Sequence, residues 1–131
     1  MLRTYSNDIS VDANEKIPFK INKILTGKTV SHLPGLSDIV IKVPGYYEVN
    51  VNLSGKLDSS GTVTTTLLAN DVPVADAKVV SQETCSKHFN HTINTIIKAI
   101  PGENMSVVVL NILIDQDIDI AHISLGVNRL A

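Results

Sequence analysis

The chain has 131 residues, 44% of them hydrophobic but only 4% aromatic, with no tryptophan and a net charge of −2. That length suits one domain whose single core is built from aliphatic side chains. The charge balance excludes the basic footprint of a nucleic-acid binder, the single cysteine, Cys85, excludes an internal disulfide framework, and no run reaches the roughly 20 apolar residues of a spanning helix.

Val, Ile and Thr supply 40 of the 131 residues, and such branched side chains favour a pleated surface. Residues 1–16, MLRTYSNDISVDANEK, are polar and show little pattern. They read as a tail or connector, the remnant of a longer polypeptide, and lack the apolar stretch of a signal peptide. IPFKINKILTGK then alternates weakly up to Gly27. SHLPGLS is a loop punctuated by Pro34 and Gly35, and DIVIKV is a short strand stopping at Pro44. Pro44-Gly45 is a turn signal, because Pro presets φ and Gly tolerates positive φ.

After that turn Tyr47, Val49, Val51 and Leu53 fall on one face, and Tyr46, Glu48, Asn50 and Asn52 on the other. Period two over eight residues predicts a half-buried strand, with Gly55 as its end. TVTTTLLA predicts another, carrying Val63, Thr65 and Leu67 on one side. Asn70 and Asp71 suit a turn with left-handed backbone. VADAKVV is ambiguous between strand and helical turn, and the flanking loops favour strand. HFNHTINTIIKAI is a long strand dominated by Phe89, Ile93 and Ile97, and PGEN is the next turn. Met105–Ile114 is apolar on both faces, so neither side is expected to meet water freely. DQD turns the chain into a last strand, IDIAHISLGVNRL. Eight or more short strands between Gly, Pro, Asn and Asp turns predict an all-β two-sheet sandwich, with a barrel as the alternative.

Three constellations bear on chemistry. Cys85, His88 and His91 form C-x-x-H-x-x-H, a spacing that contains zinc ligands. In a strand, residues three apart point to opposite faces, so His88 and His91 are expected to diverge and to hold no metal. Asp115, Asp117 and Asp119 are spaced like the start of a calcium loop. An EF-hand needs Gly at its sixth position and Glu at its twelfth, where this chain has Ile120 and Gly126. No nucleophile elbow, P-loop or dinucleotide fingerprint is present. No catalytic residue, cofactor or metal is expected.

The pattern resembles the jelly roll shared by tumour necrosis factor and the globular head of the first complement component. VPGYYEV matches that superfamily's turn followed by Gly-x-aromatic-x-apolar, with Gly45, Tyr47 and Val49. ANDVPV resembles its Asn-Gly turn, with Asp71 where Gly is commoner. AIPGENMSVVV resembles its Gly-acidic turn before a long strand, with Gly102 and Glu103. SLGVNRLA resembles its final glycine-bearing strand. The likeness spans residues 17–131, and the plain aliphatic composition looks like the microbial versions in phage tail or baseplate proteins and spore-coat heads.

The resemblance implies a homotrimer with one sheet of each subunit around a threefold axis. It places Asn50, Asn52, Thr92, Asn94 and Ile96 as candidates to face that axis. The expected function is a non-enzymatic trimeric structural or adhesion module of a phage or prophage tail or baseplate, made in the cytoplasm and carried on a virion or cell surface. A bacterial surface or spore-coat head is the alternative, and a hydrolase with an inter-subunit site a more distant one. Recognition is expected in loops at one end, Ser31–Ser37, Lys56–Gly61 and Ser81–Lys87, because loops on a rigid scaffold carry binding. Tyr46 is the candidate ligand contact. The partner is a cell-surface glycan or a neighbouring virion protein, with neither nucleic acid nor membrane insertion.

Overall fold

A computed structural model describes residues 1–100 and 108–131. Ten strands follow in chain order: β1 (Leu2–Val11), β2 (Ile21–Leu25), β3 (Val30–Ser31), β4 (Ile39–Ile41), β5 (Gly45–Leu57), β6 (Gly61–Ala69), β7 (Val72–Glu83), β8 (Phe89–Ala99), β9 (Val108–Ile114) and β10 (Ile118–Arg129). They form two antiparallel five-stranded sheets, ordered β2-β1-β10-β5-β8 and β3-β4-β9-β6-β7. From β4 onward the chain passes back and forth between the sheets, with only the β6–β7 hairpin staying in one. That hairpin turns on Asn70 and Asp71, both at positive φ (50° and 64°). A two-residue loop of that hand matches the twist of the flanking strands.

The core is the aliphatic one that composition requires. The inner faces of the sheets bury Tyr47, Val49, Val51, Leu53 and Leu57 from β5, and Val63, Thr65 and Leu67 from β6. Phe89, Ile93 and Ile97 of β8 join them, with Ile118, Ile120, Ile123, Leu125 and Val127 of β10. Gly55 does not end its strand, which runs on to Leu57. Its lack of a side chain serves another purpose: a Cβ there would lie 2.8 Å from the Asp119 carbonyl oxygen of the paired strand. Gly45 is as crowded, since a Cβ would lie 2.6 Å from the Ala131 carbonyl oxygen. That oxygen accepts from the Tyr46 amide, and the Leu130 amide donates back to Tyr46.

Residues 1–16 are not a tail. Residues 2–11 form β1, an interior strand paired with β10 on one side and β2 on the other. Leu2, Thr4, Ser6, Ile9 and Val11 are buried. The strand looked polar because two of its inward residues are hydroxyls: Thr4 donates to the Ile21 carbonyl and Ser6 to the Pro18 carbonyl. It looked aperiodic because of a bulge. Asp8 sits at φ 51°, so Asn7 and Asp8 both face outward and the inward phase resumes at Ile9.

Residues 14–17 then cross to the other sheet, where the Asn14 and Ile17 amides donate to the Ile114 and Ile112 carbonyls of β9. β9 is thus flanked on both edges. Its second side is sheltered inside the chain, with Asn111 buried and donating to the Ser37 carbonyl and Asp38 carboxylate.

Candidate functional site

Four of the five main concavities open on the outer face of the β2-β1-β10-β5-β8 sheet. The two halves of that face are built differently. β5 and β8 pair from Gly45↔Ala99 to Gly55↔Phe89 in one register without a shift. Outward residues therefore stand in cross-strand pairs: Tyr46 with Lys98, Glu48 with Ile96, Asn50 with Asn94, and Asn52 with Thr92. Thr92 donates to Asn52 Oδ1 at 3.2 Å, Asn50 donates to Glu48 at 2.9 Å, and the Lys98 ammonium lies 5.9 Å from the Tyr46 ring centroid. All five residues singled out for a threefold axis fall on this one face, and Tyr46 shares it. Ile96 and Ile100 are each 59% exposed and Tyr46 46%.

The other half is interrupted. The β10–β5 register shifts between Ile120 and His122, and the β1–β2 register between Arg3 and Thr4. A bulge inserts one residue and re-aims those beside it. Ala121 is the extra residue in β10 and turns His122 outward, where unbroken alternation from Ile118 and Ile120 would have buried it. Lys23 is the extra residue in β2. The result is a concavity of about 310 Å³ lined by Arg3, Thr4, Tyr5, Lys23, His122 and Ser124. A second, of about 350 Å³, lies beside it around Asp8, Ser10, Lys56, His88 and Asp119. Sequence reasoning missed both. The signals were Asn7-Asp8, a pair tolerant of left-handed backbone, and Ile-Ala-His, where a histidine falls on an apolar beat.

The remaining candidates disperse. Gly45 and Tyr47 stand at the head of β5, and the buried Tyr47 hydroxyl donates to the Val43 carbonyl at 2.6 Å. Gly102 and Glu103 lie outside the described residues. Two of the three predicted loops meet: the Cys85 amide donates to Ser60 Oγ and the Ser86 amide to the Leu57 carbonyl. The third, Ser31–Ser37, is tied instead to Phe19, whose amide donates to Leu36 and whose carbonyl accepts from Gly35.

His88 and His91 diverge: His88, just ahead of β8, and Cys85 are exposed, and His91 is 2% exposed in the core. Among the described residues no group of three His, Cys, Asp or Glu is placed to hold a metal. Asp115, Asp117 and Asp119 each accept a hydrogen bond, from the Thr64 amide, the Ala13 amide and the Ser10 hydroxyl. Asp119, foremost by its charge, pushes the Asp58 carboxyl above the usual range, helped by partial desolvation and by Asp117 and Asp12.

Ser81 and His91 stand 2.6 Å apart, as a hydrolase would need. The other ring nitrogen of His91 faces Thr65 Oγ1 at 2.7 Å rather than a carboxylate, and neither Ser81 nor His91 lines any of the five concavities. The trio joins β8 of one sheet to β6 and β7 of the other. Burial lowers the His91 pKa, against an opposing pull from Glu83.

Two antiparallel five-stranded sheets in this order make a TNF-like jelly roll. Among solved structures the chain is similar to the globular domain of zebrafish complement 1qA protein, with a TM-score of 0.73 and 9% identity over 99% of this chain and 96% of that one. It is similar to the Eiger TNF of S. frugiperda, with a TM-score of 0.70 and 11% identity over 99% and 92%. It is also similar to PRD1 vertex protein P5, with a TM-score of 0.58 and 10% identity over 99% and 96%. No family model and no curated protein matches the chain in sequence. Identities this low carry the fold and nothing further.

Proposed function

We propose that the chain is a non-enzymatic structural and recognition module that works as a homotrimer on the outside of a virion. The observation that carries the reading is the unbulged β5–β8 face. Its outward residues stand in register, and it presents Tyr46, Ile96 and Ile100 to water. Exposed apolar side chains grouped on a polar-framed face mark an association surface. Cyclic symmetry brings the same residues of each copy together. Asn50, Asn52, Thr92 and Asn94 then meet their own counterparts at the axis as neutral hydrogen-bonding groups, and Glu48, opposite Ile96, accepts a hydrogen bond from Asn50 of its own chain. PRD1 vertex protein P5 shares this fold, and the virion setting, at a phage tail or baseplate, follows from the resemblance read in the sequence. The Ser81–His91 pair supports structure rather than turnover, since it joins the two sheets and lines none of the five concavities.

Sedimentation equilibrium of the full chain at micromolar concentration is expected to give three times the chain mass. Ile96→Arg places three guanidinium groups at the axis, and is expected to shift the mass to one chain while leaving the far-ultraviolet spectrum unchanged. A wild-type monomer at that concentration would overturn the proposal.

A further inference from the structure

The bulged half of the same sheet carries a site of its own. We propose that the concavity of Arg3, Tyr5, Lys23, His122 and Ser124 binds an acidic sugar, holding its carboxylate or sulfate between Arg3 and Lys23 and its ring against Tyr5. The site belongs to one chain and lies on β2, β1 and β10, with its His122 and Ser124 paired with Ser54 and Asn52 of β5, beside the surface assigned to assembly.

The charge is the first argument. The protein carries −2 overall, yet this lining holds an arginine, a lysine and a histidine and no carboxylate. Among the described residues the only ion pair joins Lys16 to Asp71, so neither Arg3 nor Lys23 is neutralised by a neighbouring acid. No internal hydrogen bond of those residues uses the Arg3 guanidinium or the Lys23 ammonium. Arg3 reaches over Gly126, its guanidinium nitrogen 4.0 Å from where a Cβ would stand, so no side chain at that position competes with it. A guanidinium offers a planar fork that matches a carboxylate or sulfate with two parallel hydrogen bonds.

The construction is the second argument. Lys23 and His122 reach this face through two separate bulges, one in β2 and one in β10. Bulges break ladder bonds, and they recur where a side chain must be re-aimed. Two of them converging on one concavity mark a shaped site rather than a stretch of ordinary sheet.

The lining also decides the class of ligand. Tyr5 is half-buried, its ring tilted 34° to His122 with centroids 5.9 Å apart. His122 is steadied by Asn7, whose Oδ1 faces Nδ1 at 2.6 Å and accepts its proton. This gives a fixed aromatic wall beside hydroxyl groups of Tyr5 and Ser124. An apolar ring face with polar groups at its rim suits the alternating hydrocarbon and hydroxyl surface of a sugar. The volume, about 310 Å³, sits at the small end of ligand sites, which span roughly 300–1,000 Å³. It accommodates one saccharide unit. A nucleic acid would require a basic track along the surface, and Asp8 and Asp119 in the adjoining concavity interrupt any such track.

The test is a titration of the full chain followed by amide chemical shifts. The probes are glucuronic acid for a carboxylated sugar, glucose 6-sulfate for a sulfated one, glucose, and sodium acetate. Glucuronic acid or glucose 6-sulfate is expected to shift the amides of Tyr5, Lys23, His122 and Ser124, and whichever binds more tightly identifies the acid. Glucose, which lacks the charge-assisted contact, and acetate, which lacks the ring that lies against Tyr5, are each expected to bind at least about tenfold more weakly. Arg3→Ala and Lys23→Ala are expected to cost a similar factor each, with the unfolding midpoint unchanged because both side chains are exposed. Equal binding of acetate would show a general carboxylate site and overturn the sugar. Shifts at other residues, indifference to both variants, or no shift with either acidic sugar would overturn the site. Sedimentation on the same samples keeps these outcomes apart from the fate of the trimer.

Discussion

The β5–β8 pair and the β2–β1–β10 trio lie in one sheet and share one core, yet their outer faces are built differently. The first is a ladder without interruption, whose outward residues stand in cross-strand pairs and include the exposed Tyr46 and Ile96. The second is broken by bulges at Ala121 and Lys23 and by the left-handed Asp8, and its outer face sets a cationic concavity beside the exposed Ile21 and Ile24. The difference underlies the two roles proposed for the sheet. Regular pairing keeps outward residues in register across β5 and β8. Each inserted residue lifts the strand and turns a polar side chain toward a hollow. The proposed association surface and the proposed ligand site thus lie side by side on one sheet, meeting where β10 pairs with β5.

The sharpest way to break that comparison is to remove a tyrosine from each half. Tyr47 is wholly buried in the regular half, with its hydroxyl on the Val43 carbonyl. Tyr47→Ala leaves a large cavity and an abandoned carbonyl, and a cost of about 3–5 kcal/mol is expected. Tyr5 packs on the outer face, and Tyr5→Ala is expected to cost about 1 kcal/mol or less. Denaturant unfolding at one protein concentration measures both, with any contribution from association held constant. Comparable losses would mean that Tyr5 is a core residue and that its concavity is a packing defect.

The same contrast governs how much of the molecule could be read from its sequence. β5, β6 and β8 were legible because their apolar residues keep a strict beat of two: Tyr47 to Leu53, Val63 to Leu67, Phe89 to Ile97. Asn70-Asp71 announced its turn by residue type. β1 was illegible because its beat changes phase at Asp8, and because Thr4 and Ser6, polar by type, are buried against carbonyls of the segment that follows. β7 was ambiguous for a related reason. Its register with β6 slips between Thr66 and Leu68, leaving residues 74–77 outside the ladder, where Asp76 accepts from Thr95 of β8. Gly55 misled because its purpose is a close approach between strands, which sequence does not display. The acidic-sugar site was hidden for the same reason as β1: Lys23 and His122 reach it only through inserted residues.

A second, smaller contrast lies in acid. His91 anchors the regular half to the opposite sheet, and burial lowers its pKa from the ordinary histidine value of 6.5. At neutral pH it is uncharged in both the folded and unfolded chain, and its interactions contribute in full. As pH falls through about 6.5, the unfolded chain takes up a proton that the folded chain resists. Stability falls until pH reaches the lowered folded-state value and then levels. Glu83, the charged group facing the ring, opposes the shift and narrows the window. His91→Gln is expected to be less stable than wild type at pH 7.5, having lost the ring packed 4.9 Å from Phe89, and to show a flatter decline between pH 7 and pH 5. An unchanged slope would mean that the acid sensitivity arises at another histidine.

The smallest expected effect lies at the acidic end near the bulged half, at Asp58. The carboxyl is exposed and its pKa is raised, first by the charge of Asp119 and further by partial desolvation, Asp117 and Asp12. A raised carboxyl pKa means that the folded chain holds its proton more tightly than the unfolded chain. Stability is therefore lost as pH rises from the ordinary carboxyl range through the raised value, and stays reduced at neutral pH. Asp58→Asn removes the repulsion and is expected to raise the unfolding midpoint slightly at pH 7. The gain should fade in 1 M salt, where the screening length shrinks to about 3 Å, and disappear near pH 3, where the wild-type carboxyl is protonated. A gain that survives salt would assign the effect to packing. A loss at pH 7 would mean that the contacts of the Asp58 carboxylate outweigh the repulsion, and that it holds the end together rather than strains it.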